Sequence, residues 1–420
     1  MILAAHADGL TWSIAGAATA GVIARPWRLP EAIWPVLGAA LLILSGLMSW
    51  QEALTAAGRG TDVYLFLTGM MLLAELARCE GLFDTLAALA VHWAKGSAGA
   101  LFALLYCVGI AVTVFLSNDA TAVVLTPAVY AAAKAARAKP LPYLLICAFI
   151  ANAASFVLPI SNPANLVLFG GHMPPLMAWL ARFTLPSFLA IVATFVVLRL
   201  TQRAALRQDV ARNIVVPSMK PGGWLTLYGI GATAVALLTA SALGTQLGLV
   251  TFFAGGLTAV VVLLYKSEAS WVVLRGVSWS VLPLVAGLFV LVESLKRTGV
   301  IGGLATALSH WAAQSVESAT LGSGALIAVA SNLMNNLSTG LIAAQVLAQS
   351  HPPAAVTDAL LIGVDLGPNL SITGSLATVL WLMALRREGQ AVGFWEFLKL
   401  GALVMPPALL LALAGLIFTA

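Results

Sequence analysis

Ser117-Asn118-Asp119-Ala120-Thr121 interrupts apolar sequence and recurs as Asn335-Asn336-Leu337-Ser338-Thr339. The same offset of 218 residues, from 117 to 335, superposes Gly69 to Trp93 on Gly287 to Trp311 without a gap. Gly69, Leu73, Glu75, Gly81, His92 and Trp93 fall on Gly287, Leu291, Glu293, Gly299, His310 and Trp311. The chain therefore reads as two copies of one unit, each with a cluster of amides and hydroxyls at membrane depth. Duplicated halves with interrupted hydrophobic segments at matching positions point to a secondary transporter and its binding site.

Of the 420 residues, 61% are hydrophobic and only 9% charged. A soluble surface is built largely from Lys, Arg, Glu and Asp, so this composition belongs to an all-α polytopic membrane protein. The net charge of +5 is then a topological signal. No basic run is interleaved with aromatics, and no zinc spacing or phosphate loop is present, which argues against nucleic-acid binding, a metal cofactor and ATP hydrolysis by this chain. Cys79, Cys107 and Cys147 are scattered and read as reduced, small apolar residues. The first twenty residues lack a basic leader, so no cleaved signal peptide is expected.

Spans of about 17–25 apolar residues cross the hydrocarbon as helices. They are read at 8–24, 30–50, 62–78, 142–165, 174–200, 223–241, 246–265, 277–294, 357–382 and 394–419. Two stretches, 97–134 and 317–350, are too long for one span and carry the polar cluster near their middle, which predicts re-entrant hairpins. The fold expected is two inverted repeats: about ten transmembrane helices, two hairpins and two unwound helices. The first repeat covers 1–200 (hairpin 97–134, broken helix 142–165). A cytoplasmic linker follows at 201–222, and the second repeat covers 223–420 (hairpin 317–350, broken helix 357–382). With the N-terminus outside, seventeen of the 21 Lys and Arg residues fall on the cytoplasmic side and only Arg59, Arg182, Lys296 and Arg297 outside, as the positive-inside rule requires. Both termini are then periplasmic. Lys134, Arg137 and Lys139 follow the first hairpin, whereas Ser350-His351-Pro352-Pro353 follows the second. Likewise Gly170-Gly171-His172-Met173 ends one broken crossing and Arg386-Arg387 the other, so the hairpins dip from opposite faces.

Segments 81–95 and 299–313 are too short to span and read as amphipathic interface helices, with His92 and His310 beside anchoring tryptophans. Glu75 with Arg78, and Glu293 with Lys296, read as i,i+3 structural pairs.

Within each broken crossing the chain carries helix-stopping residues. One has Pro159-Ile160-Ser161-Asn162-Pro163-Ala164-Asn165; the other has Asp365-Leu366-Gly367-Pro368-Asn369 and Thr373-Gly374-Ser375. Proline removes a backbone donor and displaces the preceding residue from helical geometry. Unwound carbonyls then face a cation or proton-bearing water, while half-helix N-termini present N–H groups. The candidate solute-binding residues are Ser117, Asn118, Thr121, Ser161, Asn162, Asn165, Asn335, Asn336, Ser338, Thr339, Thr373 and Ser375. None of the four motifs holds Lys or Arg, which suits a small, uncharged, oxygen-rich solute. Asp119 and Asp365 are the carboxylates, and an ionised Asp at this depth costs about 2.5–3.5 kcal/mol on insertion scales. They are the candidate proton-coupling groups.

The stretch Phe115-Leu116-Ser117-Asn118-Asp119-Ala120-Thr121 through Pro127 resembles the first signature of the ArsB-type arsenite/antimonite efflux permeases of the ion transporter superfamily. Ser161-Asn162-Pro163-Ala164-Asn165, Met334 to Thr339, and Asp365-Leu366-Gly367-Pro368 with Thr373 to Trp381 are similar to their later motifs. The resemblance runs from about residue 30 to the C-terminus. It implies export of arsenite and antimonite in exchange for protons from the bacterial inner membrane, with an optional ArsA-type ATPase partner. The alternative within transport is a sodium- or proton-coupled symporter of small carboxylates. A membrane-embedded enzyme would need a nucleophile–base pair or metal ligands at one depth, and the five histidines sit at ends and interfaces; no catalytic residue is expected.

Overall fold

The computed structural model describes residues 2–170, 173–212, 216–266 and 270–419. Gly171 and His172, used above to end a crossing, lie outside the described residues, as does 213–215 of the linker. The described chain is helical throughout. It opens with α1 (Ile2–Ala24), α2 (Ile33–Leu44), α3 (Trp50–Gly58), α4 (Thr61–Cys79) and α5 (Leu82–Ala94). The first hairpin is α6 (Ala98–Phe115), then α7 (Asn118–Ala120) running through a π turn at Thr121–Leu125 into α8 (Thr126–Ala135). Next come α9 (Leu141–Ala153), α10 (Pro163–Phe169) and α11 (Leu176–Thr201). After the linker follow α12 (Pro221–Ala242), α13 (Leu247–Lys266), α14 (Ser270–Gly276), α15 (Val281–Arg297) and α16 (Val300–Gln314). The second hairpin is α17 (Val316–Met334) and α18 (Asn336–Ser350), and the chain closes with α19 (Ala354–Leu366), α20 (Leu376–Arg387) and α21 (Phe394–Thr419).

Matching positions of the two halves use matching local chemistry. Gly81 (φ 73°) precedes α5 and Gly299 (φ 82°) precedes α16, left-handed positions where a Cβ is disfavoured. Ser97 caps α6 by accepting from the N–H of Ala100 at 3.2 Å, and Ser315 caps α17 by accepting from Ser318 at 3.2 Å. After the first break, a 3-10 turn at Pro159–Ser161 leads to extended Asn162 (φ −148°, ψ 132°), which caps α10. After the second, a 3-10 turn at Ile372–Gly374 leads to extended Ser375 (φ −141°, ψ 145°), which caps α20.

Five helices, α6, α11, α12, α13 and α21, are individually long and apolar enough to cross a membrane; α3 with α4, bent by 53°, makes a sixth such unit among the described residues. Of the remaining expected crossings, α1 is one continuous helix of 23 residues, α9 and α19 have 13 residues each before their breaks, and α15 has 17. The span expected at 30–50 needs correction. Its helix ends at Leu44, Gly46 turns the chain at φ 72°, and Ser49 starts a new helix. Ser49 and Glu52 form a capping box there, the Ser49 N–H donating to Glu52 Oε2 at 2.7 Å. Hydropathy registers the apolar content of 30–50 but not this change of direction.

Helix packing sorts into two bodies. In one, α4 lies against α13 and α15 against α2 and α3. Gly69 is packed on the backbone of Thr251, and Gly255 on the backbone of Gly69, the close approach that small residues permit between membrane helices. Arg59 binds Glu293 at 2.5 Å and Arg297 binds Glu52 at 2.7 Å, so Glu293 pairs with α3 and not with Lys296. The reason is reach across the α3–α15 contact, which sequence spacing along one helix does not register. Arg78 does pair with Glu75. The other body joins α5–α11 to α16–α21. Here α11 runs against α21 and α17 against α19, and Phe149 stacks on Phe397 at 5.0 Å. The bodies meet where α10 contacts α4 and α18 contacts α15.

Candidate functional site

At the first hairpin tip, Ser117 Oγ accepts from the N–H of Ala120 at 3.1 Å and Asn118 Oδ1 accepts from Asp119 N–H at 2.9 Å. At the second, Asn335 Oδ1 and Asn336 Oδ1 both accept from Leu337 N–H, at 3.1 and 3.0 Å. With these carbonyl oxygens engaged, Asn118 and Asn336 have amide N–H2 groups left to offer a solute. The π turn after Asn118 loosens the helical ladder at Thr121–Leu125, a distortion common at functional positions.

Both tips and both breaks converge on one cavity. It is lined by Asn118 and Asp119 from the first tip, Asn336 and Leu337 from the second, Asn162 and Pro163 from the first break, and Ser375 and Leu376 from the second. Leu67 of α4 and Val281 of α15 close it from the other body. The cavity volume is about 10 Å³, room for about one water. Each of the four helix starts, at residues 118, 163, 336 and 376, places its first residue in the wall, so four half-helix N-termini surround the space. Among the described residues no Lys, Arg or His lines it, and Asp119 is the acid in its wall.

Asp365 stands one residue behind. It is fully buried, its Oδ1 accepts from Asn162 Nδ2 at 2.8 Å, and its Oδ2 has no hydrogen-bond partner among the described residues. Asn162 Oδ1 accepts from Ala164 N–H at 3.0 Å, so the amide joining cavity to Asp365 is held at both ends. Beside it Asn152 Nδ2 donates to Asn369 Oδ1 at 3.0 Å, and Asn369 Nδ2 to the Phe149 carbonyl at 3.0 Å. These two bonds tie the broken helices of the two halves together.

Other expected residues turn toward nearby backbone carbonyls or one another. Asn165 Nδ2 donates to the Ser155 carbonyl at 3.0 Å, fastening the unwound segment. Ser161 Oγ donates to the Val114 carbonyl at 3.2 Å, and Thr373 Oγ1 to that of Asn332 at 2.9 Å. Thr121 Oγ1 lies 2.8 Å from Thr113 Oγ1, Thr339 Oγ1 donates to the Asn335 carbonyl at 2.8 Å, and Ser338 is buried. Thus Asn118, Asp119, Asn162, Asn336 and Ser375 share the cavity wall, while the others shape the segments that carry them. Sequence reading missed Asn332, whose amide donates to the Gly367 carbonyl at 3.0 Å and whose oxygen accepts from Ser371 at 2.7 Å. Its signal was one amide, three residues ahead of the Asn335-Asn336 pair. The apolar closures Leu67 and Val281 carried no signal at all.

A second cavity, of about 20 Å³, lies between Asp62, Leu166, Gly170, Met173 and the Gly244–Leu247 turn. Pro163 and Leu166 are spaced i, i+3 on α10 and share one face; Pro163 lines the first cavity, while Leu166 and the Gly170 that ends the helix line the second. Among the described residues no group of three or more His, Cys, Asp or Glu side chains could hold a metal ion.

Comparison with known proteins agrees with this architecture. The family model CitMHS, described as citrate transporter, matches residues 20–385. The arsenical pump membrane protein of Escherichia coli is 26% identical over 410 residues, covering 94% of this chain and 95% of that protein. That of Yersinia enterocolitica is 28% identical over 354 residues, covering 80% and 81%. In fold the chain is similar to the crystal structure of the Alcanivorax borkumensis YdaH transporter, with a TM-score of 0.56 at 18% identity over 87% of this chain and 86% of that one. A helical membrane architecture, helix breaks gathered on one cavity and a family match across most of the length lead to one conclusion: the chain is a multi-pass membrane transporter and belongs to the citrate transporter family.

Proposed function

We propose that this transporter exports trivalent arsenic and antimony hydroxides in exchange for protons, by alternating access across the bacterial inner membrane. Its halves, 1–200 and 223–420, act as inverted repeats with both termini periplasmic, and the solute sits among Asn118, Asn162, Asn336 and Ser375. The observation that carries the reading is the polar part of the cavity wall: amides, a hydroxyl and one carboxylate, with no basic side chain among the described residues. Arsenous acid offers three hydroxyls to such groups and adds no charge beside Asp119, whereas a polyanion would meet that carboxylate without a counter-charge. The names of the arsenical pump relatives support the same solute.

Exporting a neutral solute draws nothing from the membrane potential, while each proton entering gains about 2.3 kcal/mol per 100 mV. Proton exchange therefore suffices without ATP, and an ArsA-type ATPase remains an optional partner. Asp119 takes up the proton in the cavity; Asp365, reached through Asn162, holds the second.

Carboxylate symport is the second reading. It is favoured by the four half-helix N-termini around the cavity, which suit an anion, and by the family description. Everted membrane vesicles separate the two. Under an imposed pH gradient, labelled arsenite is expected to accumulate, without competition from citrate, succinate or sodium, and Asp119→Asn to abolish the gradient dependence. Accumulation of labelled citrate in place of arsenite would establish the second reading.

A further inference from the structure

The segment between the halves is not a loose tether. After α11 it makes a 3-10 turn at Ala205–Arg207 and crosses the open end of the first hairpin. Asp209 forms an antiparallel bridge with Ser97. Val210 N–H donates to the Gly96 carbonyl at 3.0 Å, next to the first arm, and Ala211 N–H donates to the Ala136 carbonyl at 2.8 Å, next to the second. The Val210 side chain is buried in the main core, and Arg199 Nη1 donates to the Gly99 carbonyl at 3.1 Å. Both arms of the hairpin that presents Asn118 and Asp119 are thus clipped together by one short piece of chain.

This strap is strongly cationic. Segments 95–97, 134–139 and 199–212 carry eight Lys and Arg side chains, all exposed, and one acid, Asp209. They cluster at the ends of α5, α8 and α11 and the start of α6, the depth at which membrane helices reach headgroups. Two also lie over aromatic rings at that level: Lys134 is 5.7 Å from the Tyr130 ring and Arg199 is 5.8 Å from the Phe195 ring. Long cationic side chains beside aromatics at a helix end are the arrangement that snorkels to an interface.

We infer that residues 199–212 form a docking surface for anionic phospholipid headgroups, whose phosphates engage Arg203, Arg207 and Arg212 and thereby hold the strap, and the hairpin beneath it, against the lipid. The layer of cations at helix-end depth favours a lipid over a soluble acidic protein. A clustered basic surface beside a membrane span is the form that recognises anionic lipid.

The test does not require transport, so its outcome is separable from the assignment of a solute. Full-length protein, stripped of lipid in a neutral detergent, is titrated with phosphatidylglycerol or phosphatidylcholine, and retained lipid is read by native mass spectrometry. Phosphatidylglycerol is expected to be retained preferentially, with retention falling about fivefold per cation removed across Arg203→Gln, Arg207→Gln and Arg212→Gln. The three Arg→Lys replacements should keep it, as should Arg386→Gln with Arg387→Gln and Lys399→Gln, which remove the same charge elsewhere. In case the Gln variant fails to fold, hydrogen exchange on the wild type is the independent readout: Val210 and Ala211 amides should exchange more slowly in phosphatidylglycerol nanodiscs than in phosphatidylcholine ones. Equal retention of both lipids, equal loss in the two charge-removal variants, displacement by millimolar inorganic phosphate at constant ionic strength, or unchanged exchange would each overturn the inference.

Discussion

Asp119 and Asp365 are the same side chain in different settings, and the difference decides what each can do. Asp119 faces the cavity directly, where on the proposed function solute and proton compete for it. Asp365 is sealed behind Asn162 and accepts from its amide. An asparagine at 365 keeps an oxygen for that bond, so Asp365→Asn is expected to preserve folding and solute binding while weakening proton coupling; Asp119→Asn should also shift apparent solute affinity. Solute binding by isothermal calorimetry at two pH values, set against vesicle uptake, checks this division. Asn335 supplies a second prediction. Its φ of 73° and ψ of 147° lie where glycine is nearly alone, yet its side chain caps α18. Asn335→Ala loses the cap and keeps the strain, and should destabilise by about 1–2 kcal/mol, whereas Asn335→Gly should cost only a few tenths of that unit. Thermal unfolding in detergent measures the ordering of the two variants.

The breaks at Pro159–Asn162 and Gly367–Ser375 were legible because proline, glycine and capping side chains act within a few residues. So were the hairpin tips, where amides and hydroxyls interrupt apolar runs. The separation of α2 from α3 was written in Ser49-Trp50-Gln51-Glu52, but hydropathy averaging concealed it. The Arg59–Glu293 pair was not legible, since it depends on a partner helix placed by the whole fold. The same dependence makes Gly69 a test of element packing. A side chain there meets the Thr251 backbone, while one at Gly231 meets nothing. Gly69→Val should lower stability by about 1–3 kcal/mol through overpacking and Gly231→Ala should leave it nearly unchanged, both read as melting temperature in detergent.

At the scale of the whole molecule, the cavity lies where the two bodies meet and has room for about one water. On the proposed function, a solute larger than water enters and leaves by relative movement of the bodies, α10 and α18 against α4 and α15. On this account Asn118→Cys and Asn336→Cys are each modified by membrane-impermeant thiol reagents from both sides during turnover, and solute protects them; modification from one side alone would indicate a fixed opening. Leu166 lines the second cavity on the same α10 face as Pro163 of the first, so on this account Leu166→Trp is expected to reduce uptake several-fold with solute binding intact. The most direct test of coupling is proton movement driven by solute. Protein is reconstituted in liposomes containing a pH dye, and an arsenite gradient is imposed with the membrane potential clamped at zero. The account predicts a proton flux opposite to the arsenite gradient in the wild type and none in Asp119→Asn. Arsenite moving down its gradient with no pH change, or a flux elicited by citrate in place of arsenite, would contradict it.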